Sequence, residues 1–198
     1  MTTQVRGRPR DPRVDEAVTT HLVELLASRG PDGFSIEELA SRSGVGKAAI
    51  YRRFRSREEL LEAGFAAANQ DMPDVSALPV REALVRLLEW VTGAHAAGMT
   101  PTWLVGIQQM PQLRQMYMDK VVQPRRVALR EVLERGRAEG LIDAHVDLDV
   151  ALTCLSSPAV MLGMHRSRDC QYGAVRVEAV VDLVLTGLLS PEARASGS

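Results

Sequence analysis

Between Leu39 and Arg57 the chain carries six cations, Arg42, Lys47, Arg52, Arg53, Arg55 and Arg57, and no acid. Across all 198 residues, 24 Lys and Arg face 25 Asp and Glu, so a nearly neutral protein has gathered its positive charge on one short stretch. The chemistry such a stretch can do is phosphate neutralisation. Each cation set against a nucleic-acid phosphate releases a counterion and adds about 0.9 to the salt slope of binding. Lys47 and Tyr51, and likewise Ala48 and Arg52, stand at i, i+4, so a helix here puts all four on one outer face. That face is cationic, and small at its N-terminal end, as entry into a major groove requires. The N-terminal RGRPRDPR adds Arg6, Arg8, Arg10 and Arg13 in a proline-interrupted arm of the kind that reaches into a minor groove.

The elements that must position these side chains are legible around them. Ser35 is a natural N-cap with Glu38 three residues on, which starts a short helix with Ile36, Leu39 and Ala40 inward. Ser43 and Gly44 end it, Gly44 supplying a positive φ for a steep turn, with Val45 behind the turn. The next helix, from about Gly46 to Arg53, turns Ile50 and Phe54 to the core. Ser56, with Glu59 after it, opens a third. The spacing predicts a helix-turn-helix.

The stretch SIEELASRSGVGKAAIYRRFRSREELL closely resembles the DNA-binding signature of the TetR family of bacterial transcriptional regulators. The match covers about Asp15 to Phe65: a hydrophobic-x-x-hydrophobic-Ala opening, Gly-Val at the turn, a hydrophobic-Tyr pair, Phe three residues later, then Glu-x-Leu. The resemblance implies that Lys47, Ala48 and Tyr51 meet base edges and phosphates, and that Ser35, Arg53 and Arg57 contact the DNA backbone. Gly46 stands where the family usually has a Ser or Thr N-cap, and Ala49 where it often has a phosphate-binding Thr. Arg52 and Arg53 are placed to make up the missing anchor.

The rest of the chain is helical wherever it is periodic. Asp11-Pro12 opens a first helix with Val14, Val18, Leu22, Leu25 and Leu26 on one stripe, ended by Gly30-Pro31. The polar break NQDMPDVSALP separates a DNA-binding domain, residues 1–70, from a second helical region, residues 71–198. Beyond it the spacing predicts helices at about Val80 to Ala97, Pro101 to Met110, Pro111 to Val122, Pro124 to Glu139, Asp147 to Arg166 and Ala174 to Leu189. The expected fold is all-α, about nine to ten helices, with an N-terminal three-helix helix-turn-helix domain and a C-terminal ligand-binding and dimerisation domain. Pro158 predicts a kink, with Ser156 or Ser157 satisfying a freed backbone group.

The last two helices are apolar nearly all round, so they need cover on several sides. Two from each of two copies would make a four-helix bundle about a two-fold axis. Homodimerisation through them places two recognition helices about 34–36 Å apart, the repeat of a palindromic site.

Trp90, Met99, Trp103, Leu104, Ile107, Met110, Leu113, Met116, Tyr117 and Met118 cluster in the middle of the chain. Residue type alone favours an ordinary core. The family resemblance implies a small-molecule inducer instead, with Trp90, His95, Trp103, Ile107, Met110, Leu113, Met116 and Tyr117 as its candidate contacts and Gln108 and Gln109 as further polar groups. No permanent charge interrupts the middle of the stretch from Thr92 to Leu113, so the expected inducer is mostly apolar and uncharged or weakly polar.

Enzymatic readings find little support. GVGKA lacks the first glycine of a phosphate loop, where Ser41 stands, and its metal-binding hydroxyl, where Ala48 stands. His21, His95, His145 and His165 have no metal-ligand spacing, and Cys154 and Cys170 form neither a CxxC pair nor a metal site. No cofactor or metal is expected. There is no apolar run long enough to span a membrane and no secretory signal, so the expected location is the cytoplasm. The function expected is a ligand-responsive regulator, double-stranded DNA its partner, repressing transcription and released by its inducer. Activation, or DNA binding without any small ligand, are the alternatives.

Overall fold

The computed structural model describes residues 12–30, 33–96, 107–166 and 176–189. Its helices are α1 (Pro12–Arg29), α2 (Ile36–Ser43), α3 (Lys47–Arg53), α4 (Arg57–Ala67), α5 (Val80–Ala96), α6 (Pro111–Tyr117), a π-helical turn (Met118–Val122), α7 (Gln123–Ala138), α8 (Leu148–Arg166) and α9 (Val177–Leu188). Among the described residues no element is a strand; one isolated bridge joins Ile142 to Leu189. The expected helix at Pro101 to Met110 lies outside the described residues except at its end.

Two helices expected to be separate, Pro111 to Val122 and Pro124 to Glu139, run end to end through the π turn. The described residues therefore form eight rods, fewer than the nine to ten expected. Pro124 has no N–H for the carbonyl of Lys120 four residues back, which ordinarily breaks or kinks a helix. Here Asn69 Nδ2, beyond the end of α4, donates to Lys120 O at 2.8 Å and to Val121 O at 3.2 Å. The backbone widens by one residue, with Gln123 N bonded to Met118 O, and continues.

One buried cluster joins Val18, Leu22, Leu25 and Leu26 of α1 to Leu39, Ile50, Leu60, Leu61 and Phe65. It continues into Ile107, Tyr117 and Val121, so side chains from both sides of the polar break share this core. Helices α1 and α4 approach closely at Gly64, where a Cβ would lie 2.7 Å from Leu22 Cδ2. A second cluster packs α5, α7, α8 and α9 around Leu84, Leu88, Leu133, Leu152, Leu155 and Val181. A two-pronged Arg81–Asp182 ion pair, at 2.6 and 2.9 Å, clips α5 to α9 at the surface.

Helix α8 runs through Pro158 from Leu148 to Arg166. Ser156 Oγ donates to Leu152 O at 2.7 Å, not to Cys154 O, the carbonyl that the proline frees. Val150, Cys154 and Met161 of α8 are exposed, as is Leu183 on α9 at 76 %.

Candidate nucleic-acid interface and ligand cavity

The helix-turn-helix is set by local capping. Ser35 Oγ accepts from Glu38 N at 3.1 Å, Gly44 closes α2 with φ +67°, and Ser56 Oγ accepts from Glu59 N at 3.1 Å. Gly46 caps α3 with no side-chain bond, since it has no side chain to give one. Ile50 is buried and anchors α3 from beneath. Lys47, Ala48, Tyr51 and Arg52 are all exposed on the opposite side, Tyr51 at 61 %.

The six cations of this stretch divide by partner. Arg42 pairs with Glu38 at 3.1 Å and Lys47 with Glu37 at 2.9 Å. The hydrogen bond between Lys47 and Glu37 holds the carboxyl below, and the ammonium above, its ordinary pKa. Arg53, half-buried, is bonded through Nε to Asp15 of α1. Arg57 lies 4.2 Å over the ring of Phe34 and donates to its carbonyl at 3.3 Å. The side chains of Arg52 and Arg55 carry no acidic partner among the described residues, although the Arg55 backbone N–H donates to Glu59 Oε2 at 2.7 Å. Three acids thus reach this surface from just outside the acid-free stretch or from 38 positions away. Arg6 and Arg8 lie outside the described residues.

Above this domain, a cavity of about 420 Å³ opens between α5, α6, α7 and α8. Of the residues expected to meet a ligand, Ile107 and Tyr117 line it, as does Gln108. Trp90 stands behind the wall, with the Arg125 guanidinium 4.9 Å from its ring centre. Leu113 and Met116 face the other way, onto the core that contains α1 and α4. Met110 is the N-cap of α6 and is not part of the lining. Trp103 and the His95 side chain lie outside the described residues.

Sequence reasoning missed most of the wall. Leu88 and Val91 come from α5, Val122 and Leu129 from the π turn and α7, and Ser156, Ser157, Val160 and Met161 from α8. Arg114, Arg125 and Arg126 add three guanidinium groups. The stretch Thr92 to Leu113 is free of charge, as its sequence says, but the cavity draws its charges from the helices that follow.

Arg125 is only 8 % exposed. Its Nε donates to Asn69 Oδ1 at 2.8 Å and its Nη2 to Ala68 O at 3.3 Å. Burial pushes its pKa down, against the neighbouring Tyr117, and burial raises the Tyr117 phenol, against the Arg125 charge.

Residues 21–63 match the family described as "Bacterial regulatory proteins, tetR family", and residues 80–184 the "Tetracyclin repressor-like, C-terminal domain". The chain belongs to the TetR family. Its relatives include the HTH-type transcriptional regulator YdeS of Bacillus subtilis, 26 % identical over 77 % of this chain and 79 % of that protein. Rv1556 of Mycobacterium tuberculosis, also named an HTH-type transcriptional regulator, is 28 % identical over 72 % and 74 %. Among solved structures, a TetR-family regulator from Rhodococcus sp. superposes with a TM-score of 0.69 at 17 % identity, covering 91 % of this chain and all of that one. FadR from Bacillus subtilis, solved with stearoyl-CoA, gives 0.58 at 18 % identity, covering 88 % and 97 %. The TetR-family assignment makes this a DNA-binding transcriptional regulator with an all-helical fold. Among the described residues, no helix is long and apolar enough to cross a membrane.

Proposed function

We propose that this TetR-family protein is a ligand-responsive repressor that binds a palindromic operator as a homodimer and leaves it when a small molecule fills the cavity. The observation that carries the reading is the conjunction of an exposed α3 face, Lys47, Ala48, Tyr51 and Arg52, with a cavity whose wall bonds directly to residues just past α4. Arg53 and Arg57 are occupied by Asp15 and Phe34, and they act by fixing α3 and α4 for DNA contact. Ser35 offers the end of α2 to the phosphate backbone, and Arg6 and Arg8 extend the contact into the minor groove.

The exposed apolar side chains Val150 on α8 and Leu183 on α9 mark the face that a second copy covers. Closure about a two-fold axis sets the two α3 helices at the half-site spacing. Repression by an empty protein and release by a filled one needs a ligand that prefers the released arrangement. A 1:99 to 99:1 shift takes about 5.5 kcal/mol of such preference over the dimer. That a structural neighbour holds stearoyl-CoA supports a cavity of this fold taking small molecules. The cytoplasm is the corresponding place of action.

The test is binding to the DNA upstream of the protein's own gene, in a salt series, beside the double variant Tyr51→Ala, Arg52→Ala. Nanomolar, salt-sensitive binding that the variant loses is the expected result. Equal binding to random DNA overturns the operator reading.

A further inference from the structure

The cavity is apolar along α5 and at Val160 and Met161 of α8, with two hydroxyls from Ser156 and Ser157 beside them, yet the described residues that line it include three arginines and no acid. Two of the three are accounted for at the surface. Arg126 reaches Asp149 at 3.4 Å, and Arg114 is exposed to solvent. Arg125 is different: it is 8 % exposed, and its hydrogen-bond partners, Asn69 and Ala68, are both neutral. A guanidinium has five N–H donors, and two are used here. A buried charge without a counterion costs far more than a paired one, and proteins ordinarily supply the partner. Asn69, Ala68 and the Trp90 face orient this cation without neutralising it.

We infer that the cavity takes an amphiphilic monoanion, a carboxylate on an apolar tail, with the carboxylate closing on the Arg125 guanidinium and the tail lying between α5 and α8. This rests on the reading of the protein as a ligand-responsive regulator and names the ligand class of that same cavity. One buried cation with no acidic partner among the described residues balances one negative charge. A planar fork of N–H groups fits two carboxylate oxygens at once. Leu88, Val91, Leu129 and Val160 give the tail an apolar lining. The 420 Å³ volume holds on the order of a dozen groups at about 30 Å³ each, the share of a water molecule, which sets the ligand at medium chain length.

The experiment is calorimetric titration of the full-length wild-type protein with decanoate, 1-decanol, decyl phosphate and decyltrimethylammonium. Decanoate is expected to bind roughly ten- to a hundredfold tighter than decanol, the range for a hydrogen bond to a charged group. Equal or tighter binding of decanol or of the cation, or no binding of decanoate, overturns the inference. Tighter binding of decyl phosphate overturns the carboxylate assignment.

Arg125→Met is expected to abolish the preference for decanoate over decanol, while Arg86→Gln, at an exposed position of α5 outside the cavity lining, leaves it in place. Should Arg125→Met fail to fold, the wild-type series alone decides. Operator binding without added ligand is measured on the same preparation. Intact operator binding with no decanoate preference fails this inference alone, and lost operator binding fails the regulator reading whatever decanoate does.

Discussion

Arg125 Nε donates to Asn69 Oδ1 at 2.8 Å, and the same Asn69 donates through Nδ2 to the carbonyls of Lys120 and Val121 at 2.8 and 3.2 Å. One amide thus touches the cation of the cavity wall, the π turn and the segment just past α4. Asn69→Ala removes these bonds together. It exposes carbonyls to loss of a partner and is expected to lower stability by about 1–2 kcal/mol. Operator affinity in the absence of ligand should change little, since α3 is untouched. Under the proposed function, decanoate should still bind the variant but release DNA less effectively than from wild type. Gel-shift titrations with and without decanoate check this, and an unchanged response would mean that the signal takes another route.

Glu37 neutralises part of the surface that DNA would approach. Its carboxylate holds Lys47 Nζ at 2.9 Å, and both side chains are exposed. Glu37→Gln frees the ammonium for a phosphate and deletes a like charge from the interface. Operator affinity at moderate salt is expected to rise a few-fold, with the salt slope steeper by about 0.9 for one added phosphate contact. A slope identical to wild type would show that Lys47 meets no phosphate.

The contrast between these two sites explains what was legible in sequence. The helix-turn-helix depends on near neighbours: Ser35 with Glu38, Gly44 at its turn, and Ile50 beneath a face set by i, i+4 spacing. Its boundaries and exposed side chains emerged from local pattern. The cavity depends on side chains from Leu88 to Met161, brought together only by packing. Leu113 and Met116 have the composition of a pocket lining, but the turn of α6 points them at α4's core. Asp15 lies 38 positions from Arg53, so the pairing that offsets part of the charge of the basic stretch has no local signal. Pro124 signals a helix start, and only the distant Asn69 side chain lets the helix continue across it.

Two glycines in helices should respond to alanine with opposite signs. At Gly64 the new methyl would sit 2.7 Å from Leu22 Cδ2 and 3.0 Å from its Cγ, and Leu22 is fully buried. Overpacking costs about 1–3 kcal/mol, offset by roughly 1 kcal/mol of helix propensity, so Gly64→Ala should destabilise by roughly 1 kcal/mol. At Gly93, exposed on α5, nothing among the described residues lies within 4 Å of the new methyl, and Gly93→Ala should stabilise by about 0.5–1 kcal/mol. Urea midpoints of the two variants measure both signs. A Gly64→Ala protein as stable as wild type would mean that α1 and α4 separate at little cost.

Tyr117 makes stability depend on alkaline pH. Its ring meets Phe65 of α4 edge-on, with centroids 5.7 Å apart, and burial raises the phenol pKa despite the nearby Arg125 charge. In the unfolded chain the phenol ionises near pH 10. In the folded protein it keeps its proton to higher pH, so between the two values the unfolded state binds fewer protons and gains population. The contribution of Tyr117 is therefore whole below about pH 10 and is lost as pH rises through the folded value. Tyr117→Phe cannot ionise, and should lose less stability than wild type between neutrality and pH values above 10. Denaturation midpoints across this range, with ultraviolet titration to follow the phenol, make the comparison. Parallel losses in the two proteins would assign the alkaline sensitivity to other groups and place the Tyr117 hydroxyl in contact with solvent.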